Sequence, residues 1–308
     1  ILFLRLFHVI VVEGSSYQTL SRDNRVEEVV IHAPRGVIVD RVGAPLTRNI
    51  PSYRLIKPCD EHAKKMCAES LSQEEVLDFA ARSATPAGIL ETDVERSYIY
   101  PFEFAHVLGF LSEITSEELD DPYYHYQGYR LGDRIGRGGL EKTWERRLRG
   151  VDGAEFVEVE ATGARLRVLG EKRAESGENI TTSLDSQIQI AAYEALEGKR
   201  GAVVVSKPKT GEILALVSSP SYDPNGFQKG LTTEEFNALL HNPDRPLFDR
   251  SIGGLYPPAS TFKLITAIAA LETGKITRET IYEDQGILRV GSYSYANWYF
   301  TQYGRKEG

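Results

Sequence analysis

The chain has 308 residues, 41% of them apolar and 26% charged, with no low-complexity run, so it reads as an ordered globular protein long enough for at least two domains. Thirty-six Lys and Arg against 44 Asp and Glu leave a net charge of -8, which repels phosphate backbones and argues against a nucleic-acid partner. Two cysteines, Cys59 and Cys67, are too few for a disulfide scaffold, and whether they pair is left open. By residue type Cys59, His62 and Cys67 suit a metal, but a surface turn with an adventitious His is the better account, so neither metal nor cofactor is assigned.

Residues 1–12 are apolar apart from Arg5 and His8, and no initiator Met precedes them, so a start within a longer protein is expected. Twelve apolar residues fall short of the roughly 20 that cross a bilayer, and on the residues alone they read as a buried element or the end of a cut membrane helix. Between 26 and 54 the pattern is strand-like, with apolar runs at 29–31 and 37–39 around Ala33-Pro34-Arg35-Gly36. Three helix starts carry both a capping box and a hydrophobic staple: Leu71, Ser72, Glu75 and Val76; then Ile114, Thr115, Glu118 and Leu119; then Leu231, Thr232, Glu235 and Phe236. Residues 150–177 are again rich in strands and turns, alternating around Ala161-Thr162-Gly163-Ala164. The polar run at 171–179 is the expected domain boundary. Beyond it, Asp185 caps a helix from 186 to about 196, closed by Gly198. A hairpin follows, with strands at 202–205 and 213–217 around Lys207-Pro208-Lys209-Thr210-Gly211; its apolar strands suggest a sheet covered on both faces.

The stretch that carries chemistry is Tyr256-Pro257-Pro258-Ala259-Ser260-Thr261-Phe262-Lys263, continued by an apolar run to Leu271 and stopped by Gly274. Two prolines block helix before Ser260, and the run after it predicts a buried helix. Ser and Lys three positions apart share one helix face, so Lys263 can take the proton that makes Ser260 a nucleophile. Burial and the positive helix N-terminus both disfavour a charged Lys263, and the same N-terminal amides suit an oxyanion. A lone S-x-x-K is usually a capped helix with a snorkelling Lys. Here the charge opens an otherwise apolar helix behind Pro-Pro, a costly placement without a purpose.

This segment resembles the active-site segment of class B penicillin-binding proteins. The resemblance extends to Gly201-Ala202-Val203-Val204-Val205, to Ser218-Ser219-Pro220-Ser221-Tyr222-Asp223-Pro224-Asn225 and to Asn242-Pro243-Asp244-Arg245-Pro246-Leu247. Upstream it takes in Ala33-Pro34-Arg35-Gly36-Val37-Ile38-Val39-Asp40-Arg41, Pro45-Leu46-Thr47-Arg48-Asn49 and Gly139-Leu140-Glu141-Lys142. It fits best the elongation branch called penicillin-binding protein 2, and it implies that residues 1–14 are the end of a single membrane anchor. It further implies an α+β multidomain fold: an elongated, β-rich, non-catalytic pedestal over 15–177, then from 178 to 308 an incomplete transpeptidase domain of the penicillin-binding and serine beta-lactamase type, helices on a sheet.

The family's site joins S-x-x-K to a later S-x-N and K-T-G. Only the first is present after residue 255, because Lys209-Thr210-Gly211 lies before the nucleophile in a hairpin turn, so truncation rather than divergence is expected. Ala259 stands where the family often has Gly, a change of little cost if φ there stays negative. Some members bind zinc after the nucleophile; residues 284–304 hold no Cys or His, so none is expected. The resemblance implies a peptidoglycan D,D-transpeptidase of cell elongation in the bacterial cytoplasmic membrane, with its bulk outside the cytoplasm. It would take stem peptides ending in D-Ala-D-Ala, be acylated by beta-lactams on Ser260, and work with a SEDS-type glycosyltransferase and elongation scaffold proteins. The alternatives are a beta-lactam sensor or beta-lactamase, or a non-catalytic scaffold or inactive fragment.

Overall fold

The computed structural model describes residues 5, 26–58, 66–71, 73–81, 89–159 and 165–303. The apolar start, Cys59, His62, the Ser72 cap and the turn at 161–164 lie outside the described residues. The chain forms two compact units, Ile1–Gly254 and Leu255–Gly308.

The strand-like stretch after residue 26 folds as β1 (Val26–Ile31), β2 (Ile38–Val39) and β3 (Thr47–Pro58). β4 (Met66–Leu71), helix α1 (Gln73–Ala81) and β5 (Ile89–Tyr98) follow, and β3 lies between β4 and β5 in an antiparallel sheet. Pro51, which has no N–H to give, sits where, among the described residues, β3 has only β5 beside it. Next come α2 (Pro101–Leu108), β6 (Leu111–Glu113), α3 (Ser116–Leu119), α4 (Pro122–Tyr126) and β7 (Arg134–Gly136), the last pairing with β6. Two short helices, α5 (Gly139–Thr143) and α6 (Glu145–Leu148), lead into β8 (Gly153–Val159) and β9 (Arg165–Lys172). β8 is the centre of a second antiparallel sheet, with β1 on one side and β9 on the other.

The polar run at 171–179 threads back along the start of the chain: Gly177 N–H donates to Pro34 O (2.9 Å) and Glu178 N–H to Arg147 O (2.7 Å). β10 (Ile180–Thr181) then pairs parallel with β2. Gly36 lies so close to this return that a Cβ there would stand 1.9 Å from Glu178 O, a place only glycine fills. The main core gathers both stretches, Ile38, Leu46, Tyr98, Phe104, Leu108 and Leu148 from before residue 177 with Ile180 and Leu184 from after it. Antiparallel sheets with helices set beside them make the fold α+β, as expected.

After β10, Asp185 accepts from the N–H groups of Gln187 and Ile188 and starts α7 (Ser186–Glu194), two residues shorter than expected. The hairpin is β11 (Gly201–Ser206) and β12 (Ile213–Ser219). Gln189 of α7 is fully buried and its side-chain amide bonds both Leu216 N–H and Leu216 O, standing in for a strand on the open edge of β12. The expectation of a sheet covered on both faces is corrected: β11 alternates half-buried with exposed positions, and Val204 is 52% exposed. Apolar strands announce burial but not how many faces find a partner.

Two of the three capping boxes lie in described residues, and both form. Thr115 and Glu118 cap α3, and Thr232 and Glu235 cap α9 (Thr233–Leu240), which follows α8 (Pro224–Lys229) and precedes α10 (Arg250–Gly253). At the first box the staple closes as well, since Ile114 is buried in a cluster with Tyr129 and Ile135 against which Leu119 packs. Arg137 donates to both carboxylate oxygens of Glu118, one of them at 2.9 Å, and with the cap amide it holds that carboxyl down at about 2. A carboxyl depressed in the folded state contributes stability above its ordinary pKa and loses it as pH falls. The Glu118 resonance in a carbon-detected titration is therefore expected to move with a midpoint near 2, and Arg137→Gln to return it toward 4.5.

A buried ionic cluster is centred on Glu141 of α5, which is fully enclosed. Arg35 Nε donates to its Oε2 at 2.7 Å and Arg96 Nε to its Oε1 at 2.8 Å. Arg35 also forks onto Glu145, whose carboxylate accepts from Tyr129 Oη (3.0 Å) and Gly136 N–H (2.9 Å). Asn49 joins the two arginines, accepting from Arg96 Nη1 and donating to Arg35 O. The cluster thus joins β3 through Asn49, β5 through Arg96 and β7 through the Gly136 N–H.

Candidate active site

Ser260 lies in a 3-10 turn, Ala259–Thr261, which leads into α11 (Phe262–Glu272). Thr261 N–H donates to Pro258 O at 3.2 Å, and the Thr261 hydroxyl bonds the same carbonyl, so the turn closes on the second proline. The helix thus begins two residues after Ser260, with Lys263 in its first turn, and the two side chains of the S-x-x-K spacing span the join. Both are exposed, and among the described residues no hydrogen bond joins them.

Two expectations are corrected here. Among the described residues nothing buries the helix after Ser260: Leu264 is 72% exposed, Ile265 57% and Ile268 60%. An all-round apolar helix needs covering layers on every side. Within Leu255–Gly308 the described residues add only the hairpin of β13 (Ile287–Val290) and β14 (Tyr293–Ala296) and the short α12 (Trp298–Tyr303). Among the described residues Lys263 is exposed as well. Ala259 has φ +49°, not a negative value, so Ala there carries left-handed strain of about 1–2 kcal/mol that Gly would not.

Lys263 lines an open recess with Tyr282, Asp284, Arg289, Asn297 and Trp298. Asp284 organises its floor: its carboxylate accepts from Gly286 N–H (2.8 Å) and from the Asn297 side chain, while Asn297 N–H donates to Gly286 O (2.8 Å). Nothing in the spacing of the S-x-x-K pair pointed to Asp284 or Asn297, which meet it only through the hairpin.

In the first unit, the segment that precedes the nucleophile is tied to the pedestal strands by side-chain amides. On the free edge of β5, Arg96 N–H donates to Gln228 Oε1 (2.9 Å) and Arg96 O accepts from the same amide; two residues on, Asn225 does the same for Tyr98, at 2.9 and 3.2 Å. Residues three apart on α8 thus match residues two apart on a strand. Arg250 secures the loop before α10, giving hydrogen bonds to Asp244 O, Arg245 O and Phe248 O, while its N–H donates to Ser218 Oγ of β12 at 2.9 Å. Gln228→Ala leaves the buried Arg96 N–H and carbonyl unpaired and is expected to cost about 2 kcal/mol in urea unfolding.

Comparison with known proteins agrees with this layout. Residues 60–182 match the penicillin-binding protein dimerisation domain, and residues 201–307 the penicillin-binding protein transpeptidase domain. The peptidoglycan D,D-transpeptidase MrdA of Escherichia coli K12 is 33% identical over an alignment of 345 residues that covers 99% of this chain and 54% of the relative. Among solved structures, a peptidoglycan synthase complex that coordinates polymerization and crosslinking superposes with a TM-score of 0.69 at 30% identity, over 96% of this chain and 57% of that one. Penicillin-binding protein 2 of Helicobacter pylori in complex with MreC, at 22% identity and a TM-score of 0.73, shares the fold over 89% of this chain and 57% of its own. The chain spans about half the length of the curated relatives it matches. With two domains of that family matched in order over residues 60–182 and 201–307, the chain belongs to the penicillin-binding proteins, in the branch of penicillin-binding protein 2.

Proposed function

We propose that the protein to which this chain belongs is a peptidoglycan D,D-transpeptidase in which Ser260 is the nucleophile and Lys263 its base. The observation that carries this is the Ser260 and Lys263 pair at the start of α11, within the residues matched to the transpeptidase domain. Lys263 in its neutral form takes the proton of Ser260 Oγ as that oxygen attacks the carbonyl carbon of the penultimate D-Ala of a stem peptide. The tetrahedral oxyanion collapses, the peptide C–N bond breaks, and the departing D-Ala amine receives the proton from Lys263. An amine of a neighbouring strand then attacks the ester, Lys263 takes the amine's proton and returns it to Ser260, and a crosslink replaces the lost peptide bond. A beta-lactam enters by the same first step and remains as the acyl-enzyme.

The pedestal takes in residues 15–177 and the transpeptidase domain begins at 178. Membrane anchoring through the first 14 residues, with the bulk outside the cytoplasm, belongs to the same reading; no helix among the described residues is long and apolar enough to cross a membrane. The match to a peptidoglycan synthase complex supports a SEDS-type glycosyltransferase as partner, with elongation scaffold proteins on the pedestal. The test is exposure of the full-length protein to a labelled penicillin followed by peptide mass mapping. The label belongs on Ser260, and a label on any other residue, or on none, overturns the assignment.

A further inference from the structure

We propose that Arg96 and Arg134 hold one small monovalent anion of the halide class in the pedestal, at a site that does not depend on the transpeptidase reading. Both residues line a cavity of about 70 Å³, the room of about two water molecules, between β5 and the start of β7. Arg96 is 2% exposed, and its guanidinium is only partly used: Nε donates to Glu141 Oε1 at 2.8 Å and Nη1 to Asn49 Oδ1 at 3.2 Å. Among the described residues the buried Nη2 has no acceptor. The guanidinium is a rigid plane and Asn49 lines the cavity too, so the end that carries Nη1 and Nη2 is turned toward it. Arg134 repeats the pattern from β7. Its Nη1 lies 3.3 Å from Asp93 Oδ2 and 3.4 Å from Val94 O, while the buried Nε, among the described residues, has no acceptor.

A buried, charged donor without an acceptor is costly, and two such donors open on one cavity. The carboxylates around it have other work. Asp152 Oδ1 accepts from Ala33 N–H (2.8 Å) and its Oδ2 stands 3.8 Å from His32 Nδ1. Asp133 Oδ2 accepts from Arg130 N–H (3.0 Å) and Arg149 Nη2 (2.8 Å), and Asp93 takes Arg134 together with Val94 N–H (2.7 Å). What the two arginines lack is a partner that accepts and brings no protons of its own. Charge sets the valence of that partner. Four guanidinium groups of the lining, Arg35, Arg96, Arg134 and Arg149, face Asp93, Asp133 and Asp152, and Glu141 and Glu145 behind them bring the carboxylates to five. This balance offers no long-range attraction and excludes a multiply charged oxyanion, but a single charge held by two guanidinium N–H groups gains charge-assisted bonds at short range. Bound there, the anion ties β5 to β7, strands of two separate sheets.

The probe is bromide, located by its anomalous scattering in crystals of the full-length protein. One bromide is expected within hydrogen-bond distance of both Arg96 Nη2 and Arg134 Nε, a result that needs no variant to fold. In solution, chloride replacing gluconate at constant ionic strength is expected to raise the thermal unfolding midpoint of the unaltered protein. Arg134→Lys keeps the charge opposite Asp93 but puts a methylene where Nε stood, so its midpoint is expected not to respond to chloride, with circular dichroism confirming that it folds. Bromide that touches neither or only one of the two guanidinium groups, which is an adventitious ion only, overturns the proposal. So does an equal chloride response in the two proteins, which leaves water between the arginines.

Discussion

A Ser260→Ala variant of the full-length protein is expected to carry no label after exposure to a fluorescent penicillin, while its melting temperature stays that of the unaltered protein. The first half follows from chemistry: the acyl group needs an oxygen that attacks, and Ala has none. The second follows from the local structure, since the turn that holds Ser260 closes through Pro258 and Thr261 and not through the Ser260 hydroxyl. Removing a hydroxyl on which none of the turn's hydrogen bonds depends is worth less than about 0.5 kcal/mol. Lys263→Arg tests the base separately, because guanidinium does not give up its proton near neutral pH. Acylation is expected to slow by about 10²–10⁴ with the labelled residue still Ser260. A Lys263→Arg protein labelled at the unaltered rate would move the base elsewhere.

The largest loss of stability is expected from Glu141→Ala. Its carboxylate is the shared partner of Arg35 and Arg96, both buried, and truncation leaves two guanidinium groups facing a void. Burial by itself works against the charge on Arg35, but Glu141 and Glu145 outweigh it and keep the guanidinium more firmly protonated than usual. Breaking such a pair from one side costs about 3–5 kcal/mol, because the orphaned charge keeps its desolvation penalty after its partner has gone. Urea unfolding of the full-length protein reads this as a fall in the midpoint. Glu141→Gln is expected to lose less, since it fills the same volume and keeps one acceptor oxygen for one of the two arginines. Loss of under about 1 kcal/mol in the Ala variant would mean that water enters and solvates both arginines.

Much of this protein was legible because it is written locally. The boxes at Thr115 and Thr232 form as read, since a cap and its Glu lie within one turn and need nothing from the rest of the chain. Asp185 starts its helix and the 201–219 hairpin closes for the same reason. The family was legible through short strings such as Tyr256-Pro257-Pro258-Ala259-Ser260-Thr261-Phe262-Lys263, whose order along the chain agrees with the two matched domains.

What was not legible depends on partners far away in sequence. Glu141 reads as an ordinary surface residue in Gly139-Leu140-Glu141-Lys142, yet it is fully buried because Arg35 and Arg96, 106 and 45 residues away, arrive on both sides. The same holds for Gln189, Asn225 and Gln228, polar residues whose amides complete the open edges of strands. His32 and Asp152 share no motif and meet because β1 pairs with β8, Ile31 opposite Gly153.

The sequence by itself determined the helix caps, the hairpin, the family and the Ser260 and Lys263 spacing, because each is set by interactions within a few residues. Only the tertiary structure decided that Ala259 takes a positive φ and that Glu141 is fully buried between Arg35 and Arg96. Burial and charge pairing are properties of whatever comes to lie alongside, and the order of residues in one segment does not name its neighbours in space.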